Sequence, residues 1–209
     1  MEQITRTRSA VLFLAVSLAA MGVGQLLLSF GRDFVDAQQP IDWAHWLILI
    51  GAVGGALSTS GFVLGQLGQL GRIARAFVVI GAIGFGGMVA IDLMLWTLPA
   101  DPMLDDALRA ALDSPQVAVP FLWVGPALFF IGLMLIAVEW VRLSARAAGL
   151  FIVGTLLNGV GAATRVDGIT LVSSAIMLAG LGGLLAATSV RPLAGRLGLI
   201  PQRSSSERG

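Results

Sequence analysis

The chain has 209 residues, of which 56% are hydrophobic and only 12% charged, whereas a soluble domain carries about 25% charged residues. With a mean hydropathy of +0.89, that balance makes the lipid bilayer its first partner, and a net charge of +1 gives no electrostatic case for nucleic acid. Cysteine and lysine are both absent, which excludes disulfides, thiol redox, thiolate nucleophiles, Schiff bases and the Walker phosphate loop.

One histidine, His45, is present. Bis-histidine haem ligation and multi-histidine metal sites therefore cannot be built within one chain. No metal and no cofactor is expected.

A membrane-crossing helix needs about 20 mostly apolar residues. The sequence offers spans near residues 9–30, 43–65, 76–98, 118–141, 147–164 and 168–190. The first resembles a signal peptide at Ser17-Leu18-Ala19. Its apolar run continues to Phe30, however, beyond the ~7–15 residues of a signal core, so it is read as a retained helix. The loop GRDFVDAQQPID follows, and Trp43 and Trp46 then suit the headgroup level at the start of span 2.

Span 2 ends in GQLGQLGRIAR, from Gly65 to Arg75. No Gly-Lys-Ser/Thr follows and no strand precedes it, so it is not a phosphate loop. Gly61, Gly65 and Gly68 instead share a helix face, with Gly51 and Gly55 higher on the same helix. Small residues of this kind let helix backbones approach where lipid gives no hydrophobic drive. Gln66 and Gln69 close the stretch, and Arg72 and Arg75 suit anionic headgroups.

Span 3 carries Asp92. The segment DPMLDDALRAALDSP after it reads as a short amphipathic helix lying on the outer interface. Asp101 is its N-cap, Pro102 its first helical residue, and Ser114-Pro115 its stop. In span 4, Pro126 beside Gly125 cannot donate, which frees the carbonyl of Leu122. Ala74-Arg75-Ala76 before span 3 is echoed by Ala145-Arg146-Ala147 before span 5, as a duplicated hairpin would produce. Residues 1–190 thus form one transmembrane domain, and residues 191–209 a short basic tail, disordered beyond Pro201.

Ten arginines fall on one side of these spans, whereas only Arg32, Arg109 and Arg165 fall on the other. The positive-inside rule then places both termini in the cytoplasm. Five spans would put the arginines of the tail outside. The fold class expected is therefore an all-α integral membrane protein, a six-helix bundle of the bacterial cytoplasmic membrane.

Catalytic motifs are incomplete. Intramembrane serine proteases need Gly-x-Ser-Gly and a later histidine; Ser58-Thr59-Ser60-Gly61 lacks the first glycine, and no histidine follows His45. Intramembrane aspartyl proteases need two membrane aspartates, and only Asp92 lies deep. Phosphatidyl-group transferases need several aspartates around Asp-Gly, and Asp167-Gly168 stands alone. The chain is not read as an enzyme.

A layer of polar residues remains. Gln25, Asp92, Asn158, Ser173 and Ser174 all lie within a turn or two of the outer ends of their spans, roughly 8–9 Å deep at 1.5 Å per residue. His45 sits nearer the surface. A carboxylate inside lipid costs roughly 3 kcal/mol on insertion scales, and such residues usually mark function. The reading is a permease-like or ligand-binding protein whose outward-facing pocket centres on Asp92. Asp92 would take a proton or small cation while Gln25, Asn158 and Ser173 orient the ligand. The rival reading is a non-catalytic subunit that docks other membrane helices, or a second copy of itself, through its glycine grooves.

Overall fold

The computed structural model describes residues 2–31, 34, 37, 41–59, 69–97, 102–164 and 166–196. Among these the chain is helical, with no strand. The helices are α1 (Glu2–Ser29), α2 (Trp43–Ser58), α3 (Gln69–Thr97), α4 (Pro102–Leu112), α5 (Pro115–Val117), α6 (Gly125–Trp140), α7 (Ala145–Thr164) and α8 (Asp167–Arg196). A π-helical stretch, Ala118–Val124, joins α5 to α6. Gly61, Gly65, Gly68, Asp101 and the tail beyond residue 196 lie outside the described residues.

Among the described residues, four helical stretches are long and apolar enough to cross a membrane: Arg8–Ser29, Gln69–Leu95, Pro115–Trp140 and Asp167–Ser189. Trp43–Ser58 and Ala145–Gly161 are shorter apolar helices. The 16 residues of α2 reach roughly 24 Å at 1.5 Å per residue, less than the ~30 Å hydrocarbon core.

Local sequence sets the ends. Gly31 adopts φ 89° just past α1, and its N–H donates to Leu28 O at 3.0 Å; the left-handed conformation needed there suits glycine. Asp42 caps α2 by accepting from the N–H of His45 at 3.1 Å. At the other end of α2, Arg75 donates from Nη2 to Thr59 O at 3.3 Å. This arginine, expected at the headgroups, thus also bonds a backbone carbonyl just past α2. Proline at 115 stops α4 and restarts the chain as a helix.

Three antiparallel hairpins, α1–α2, α3–α6 and α7–α8, pack most closely. Looser seams between α2 and α3, α6 and α7, and α8 and α1 close them into a ring. Leu14, Phe129, Leu133, Ile136, Phe151, Leu181 and Leu184 are fully buried. Phe129 stacks edge-on with Phe130 at 5.4 Å between ring centroids and reaches across to Gly55 of α2.

The hairpins repeat one contact. In the first, a Cβ on Gly24 would lie 2.5 Å from Ala44 O and 3.0 Å from Ile48 N; one on Gly51 would lie 2.6 Å from Ser17 O and 3.0 Å from Met21 N. In the second, Gly81 abuts Gly125 O and Phe129 N, and Gly132 abuts Ala74 O and Val78 N. In the third, Gly154 abuts Ser173 O and Met177 N, and Gly180 abuts Ala147 O and Phe151 N. Each glycine thus packs on the backbone seven and three residues before the glycine of its partner helix. Three hairpins share this register, whereas the sequence echo suggested two. In this register Ala74 corresponds to Ala147, so Arg75 falls opposite Ala148 and not Arg146.

Only glycine permits that approach, because a side chain at any of the six positions would meet backbone within about 3 Å, less than van der Waals contact. The second hairpin is the tightest. Gly84 of α3 would place a Cβ 2.6 Å from the Cα of Gly125 and 2.8 Å from Pro120 O. The chain is widened here, since Gly125 N–H donates five residues back to Pro120 O. In that wider register, the gap left by Pro126 falls at the Phe121–Leu122 carbonyls, where the sequence reading placed it on Leu122 alone.

Candidate functional site

The polar residues of α7 and α8 come together. On α8, Thr170, Ser173 and Ser174 lie on one face at helical spacing, and both serine hydroxyls donate to Thr170 O, at 2.7 Å from Ser173 and 2.9 Å from Ser174. Such back-bonding to the preceding turn is the ordinary fate of a helical serine in an apolar setting. It leaves each hydroxyl oxygen able to accept. Asn158 of α7 supplies the donors: its Nδ2 lies 3.0 Å from Ser173 Oγ and 3.4 Å from Ser174 Oγ. Gly154 and Gly161 allow this approach, since a Cβ at Gly161 would lie 2.8 Å from Thr170 N.

Two atoms of the layer lack partners. Asn158 Oδ1 and Gln25 Oε1 are buried with no hydrogen-bond partner. Asn158 as a whole is 2% exposed, and an unsatisfied buried acceptor costs roughly 1–3 kcal/mol. Beside Asn158 lies a cavity of about 10 Å³, lined by Leu18, Met21, Phe130, Asn158, Ser174 and Met177. That is room for about one water-sized species. Gln25 stands one turn outward of Met21 and Gly22 on α1, and Gly22 itself faces Ser174 Cβ across the seam at 3.4 Å.

The other expected members sit elsewhere. Asp92 is half-buried on α3, is engaged by a neighbour, and does not line this cavity. His45 is 2% exposed, with Nδ1 2.6 Å from Asp42 Oδ2. It is buried in the first turn of α2 and held there by the residue that caps the helix. Gly51 and Gly55 face inward, against α1 and Phe129 respectively, so neither presents a groove to another protein. The hairpin register relates three of the specialised residues: His45, Pro126 and Ser174 each stand six residues before the second glycine of their hairpin.

The sequence reading did not single out Thr170, Phe130, Met21 or Met177. A spacing of three and four from Thr170 to Ser173 and Ser174 was available as a signal for the first. The apolar liners carry no signal of their own, because they come from three helices distant in sequence.

Among the described residues, no group of three metal-ligating side chains converges. The fold and this cluster define an α-helical bundle with apolar helices of membrane-crossing length and a small buried polar site. No family model matches the chain, and neither a curated protein nor a solved structure resembles it.

Proposed function

We propose that the chain is a small permease-like or ligand-binding protein of the bacterial cytoplasmic membrane, crossing it six times with both termini inside. Its ligand site lies between α1, α6, α7 and α8, in the outer half of the bundle, with Asn158 at its centre. The observation that carries this reading is Asn158 Oδ1, buried and without a donor, beside a cavity lined by the same residue. Native proteins pair nearly all buried polar atoms, so a buried acceptor that no protein donor reaches, at the wall of a small cavity, favours a site for a small polar ligand. Asp92, half-buried on α3, serves as a second proton or cation group within the same layer.

The test is a thermal-stability screen of the purified protein in detergent against small neutral polar solutes and small cations, run in parallel on Asn158→Leu. A solute that stabilises the parent and not the variant supports the reading. If no solute separates the two proteins, the site is absent.

One observation favours an assembly subunit as the alternative. Ala175, Ala179, Gly182 and Ala186 form an exposed small-residue face on α8, the spacing that lets transmembrane helices dock. Under that reading, Gly182→Leu changes the oligomeric or complex state and leaves the solute response intact. An unchanged state in mild detergent counts against it.

A further inference from the structure

We infer that the seam between α1 and α8 opens from the outer side and is the way into the cavity beside Asn158; this rests on the ligand-binding reading and names the route to that site. The inference comes from how the three seams of the ring are fastened. Across the α2–α3 seam, Arg75 of α3 donates to Thr59 O just past α2 at 3.3 Å. Across the α6–α7 seam, Trp140 packs edge-on against Phe151 at 5.2 Å between ring centroids. A short turn also ties those two helices, with the N–H groups of Leu143 and Ser144 donating to Trp140 O at 2.9 Å. Helices α1 and α8 are not consecutive, so no connecting loop crosses their seam. Between residues 8–29 of α1 and 167–189 of α8 there is no hydrogen bond, ion pair or ring contact either; their hydroxyls bond within their own helices.

Side-chain packing alone therefore holds this seam. A Cβ on Gly22 of α1 would lie 3.4 Å from Ser174 Cβ, an ordinary van der Waals distance. The reciprocal glycines within the hairpins instead meet facing backbone at 3.0 Å or less. Asn158 further fastens α7 to α8 through Ser173 and Ser174. The hairpins thus act as rigid bodies, and the unfastened seam is where two of them part.

The cavity lies on that seam. Leu18 and Met21 of α1 and Ser174 and Met177 of α8 are four of its six lining residues. Gln25 follows Leu18, Met21 and Gly22 by seven, four and three residues, so it continues their stripe one turn outward without lining the cavity. Its Oε1 is buried with no partner, and so is one polar end of the Asn158 amide, whichever way that amide is turned. A closed seam keeps both groups from water at a cost in free energy. Opening from outside wets Gln25 first and Asn158 next, which offsets part of the packing lost, and an entering solute meets them in the same order.

The protein contains no cysteine, so a single introduced thiol reports opening directly. Leu18 stands six residues before Gly24 and Ala148 six before Gly154, equivalent places in the first and third hairpins, and both are buried. In the full-length protein in detergent, Leu18→Cys should react with N-ethylmaleimide about tenfold faster than Ala148→Cys or more, as a local opening confined to one seam requires. Equal rates, or a faster Ala148→Cys, overturn the inference. If Leu18→Cys does not fold, nitroxides at the exposed positions Leu26→Cys and Val172→Cys decide. Two distance populations support the opening, and one narrow population overturns it. A thermal-stability screen of the parent against small neutral polar solutes separates the route from the site. A stabilising solute with equal thiol rates keeps the site and removes the route. Fast labelling of Leu18→Cys with no stabilising solute supports the opening and removes the ligand-binding reading.

Discussion

His45 Nδ1 lies 2.6 Å from Asp42 Oδ2, while the other oxygen of the same carboxylate accepts the backbone N–H of His45 at 3.1 Å. One aspartate therefore caps α2 and holds the ring of a residue that is 2% exposed. The carboxylate thus faces Nδ1 and fixes the orientation of the ring.

Separating these two roles is the first prediction. Asp42→Ala should cost about 1 kcal/mol for the cap and more for the lost contact to the imidazole. Asp42→Ser keeps a capping oxygen and loses only the contact to the ring, so its cost should fall between the parent and Asp42→Ala. Denaturation in mixed micelles gives the order. If Asp42→Ser matches the parent, the ring contact contributes nothing.

The hairpin register gives a second prediction, for glycine. Gly24→Ala, Gly81→Ala and Gly154→Ala each force a methyl into backbone of the facing helix and should each destabilise by roughly 1–3 kcal/mol or more. Gly182→Ala meets nothing within 4 Å and should be neutral or stabilising by up to about 1 kcal/mol, since alanine loses less entropy in a helix. Unfolding curves for the four variants check both halves. A tolerated Gly81→Ala would mean the second hairpin is not packed as described.

A third prediction concerns Asp92. The substitution Asp92→Asn keeps the shape and most hydrogen-bonding capacity but cannot ionise. The variant should remain folded in detergent, because the amide keeps the side chain's shape and an acceptor oxygen. It should also lose any proton- or cation-dependent change in Tm that the parent shows. Melting series for both proteins across pH 5–8 and a cation panel decide the matter, and identical responses would remove Asp92 from the site.

Topology gives a fourth. Tags at either terminus should be reachable only from the cytoplasmic side, and a cysteine at the exposed position of Asp106 should label from outside. The motive is the split of ten arginines against three. A C-terminal tag accessible from outside would remove the six-span count and the shared depth of the polar layer.

The helical class and four apolar stretches of membrane-crossing length were legible in the sequence, because bilayer thickness sets run length and run length is a property of one segment at a time. The same holds for Pro102 as the first residue of α4 and for Ser114-Pro115 beyond its end, where local backbone chemistry acts alone. Which face of each helix turns inward was not legible. In water a buried face is apolar and an exposed one polar, but in lipid both are apolar. Leu14 is fully buried and Leu12 is 55% exposed, and nothing in the two residues distinguishes them. The tertiary structure alone therefore decided that Gly51 and Gly55 pack inward, that His45 is enclosed with Asp42, and that three hairpins share one glycine register. It also brought Asn158 to Ser173 and Ser174 while leaving Asp92 outside that cavity, because depth can be counted along one helix but the meeting of two faces depends on their rotation against each other.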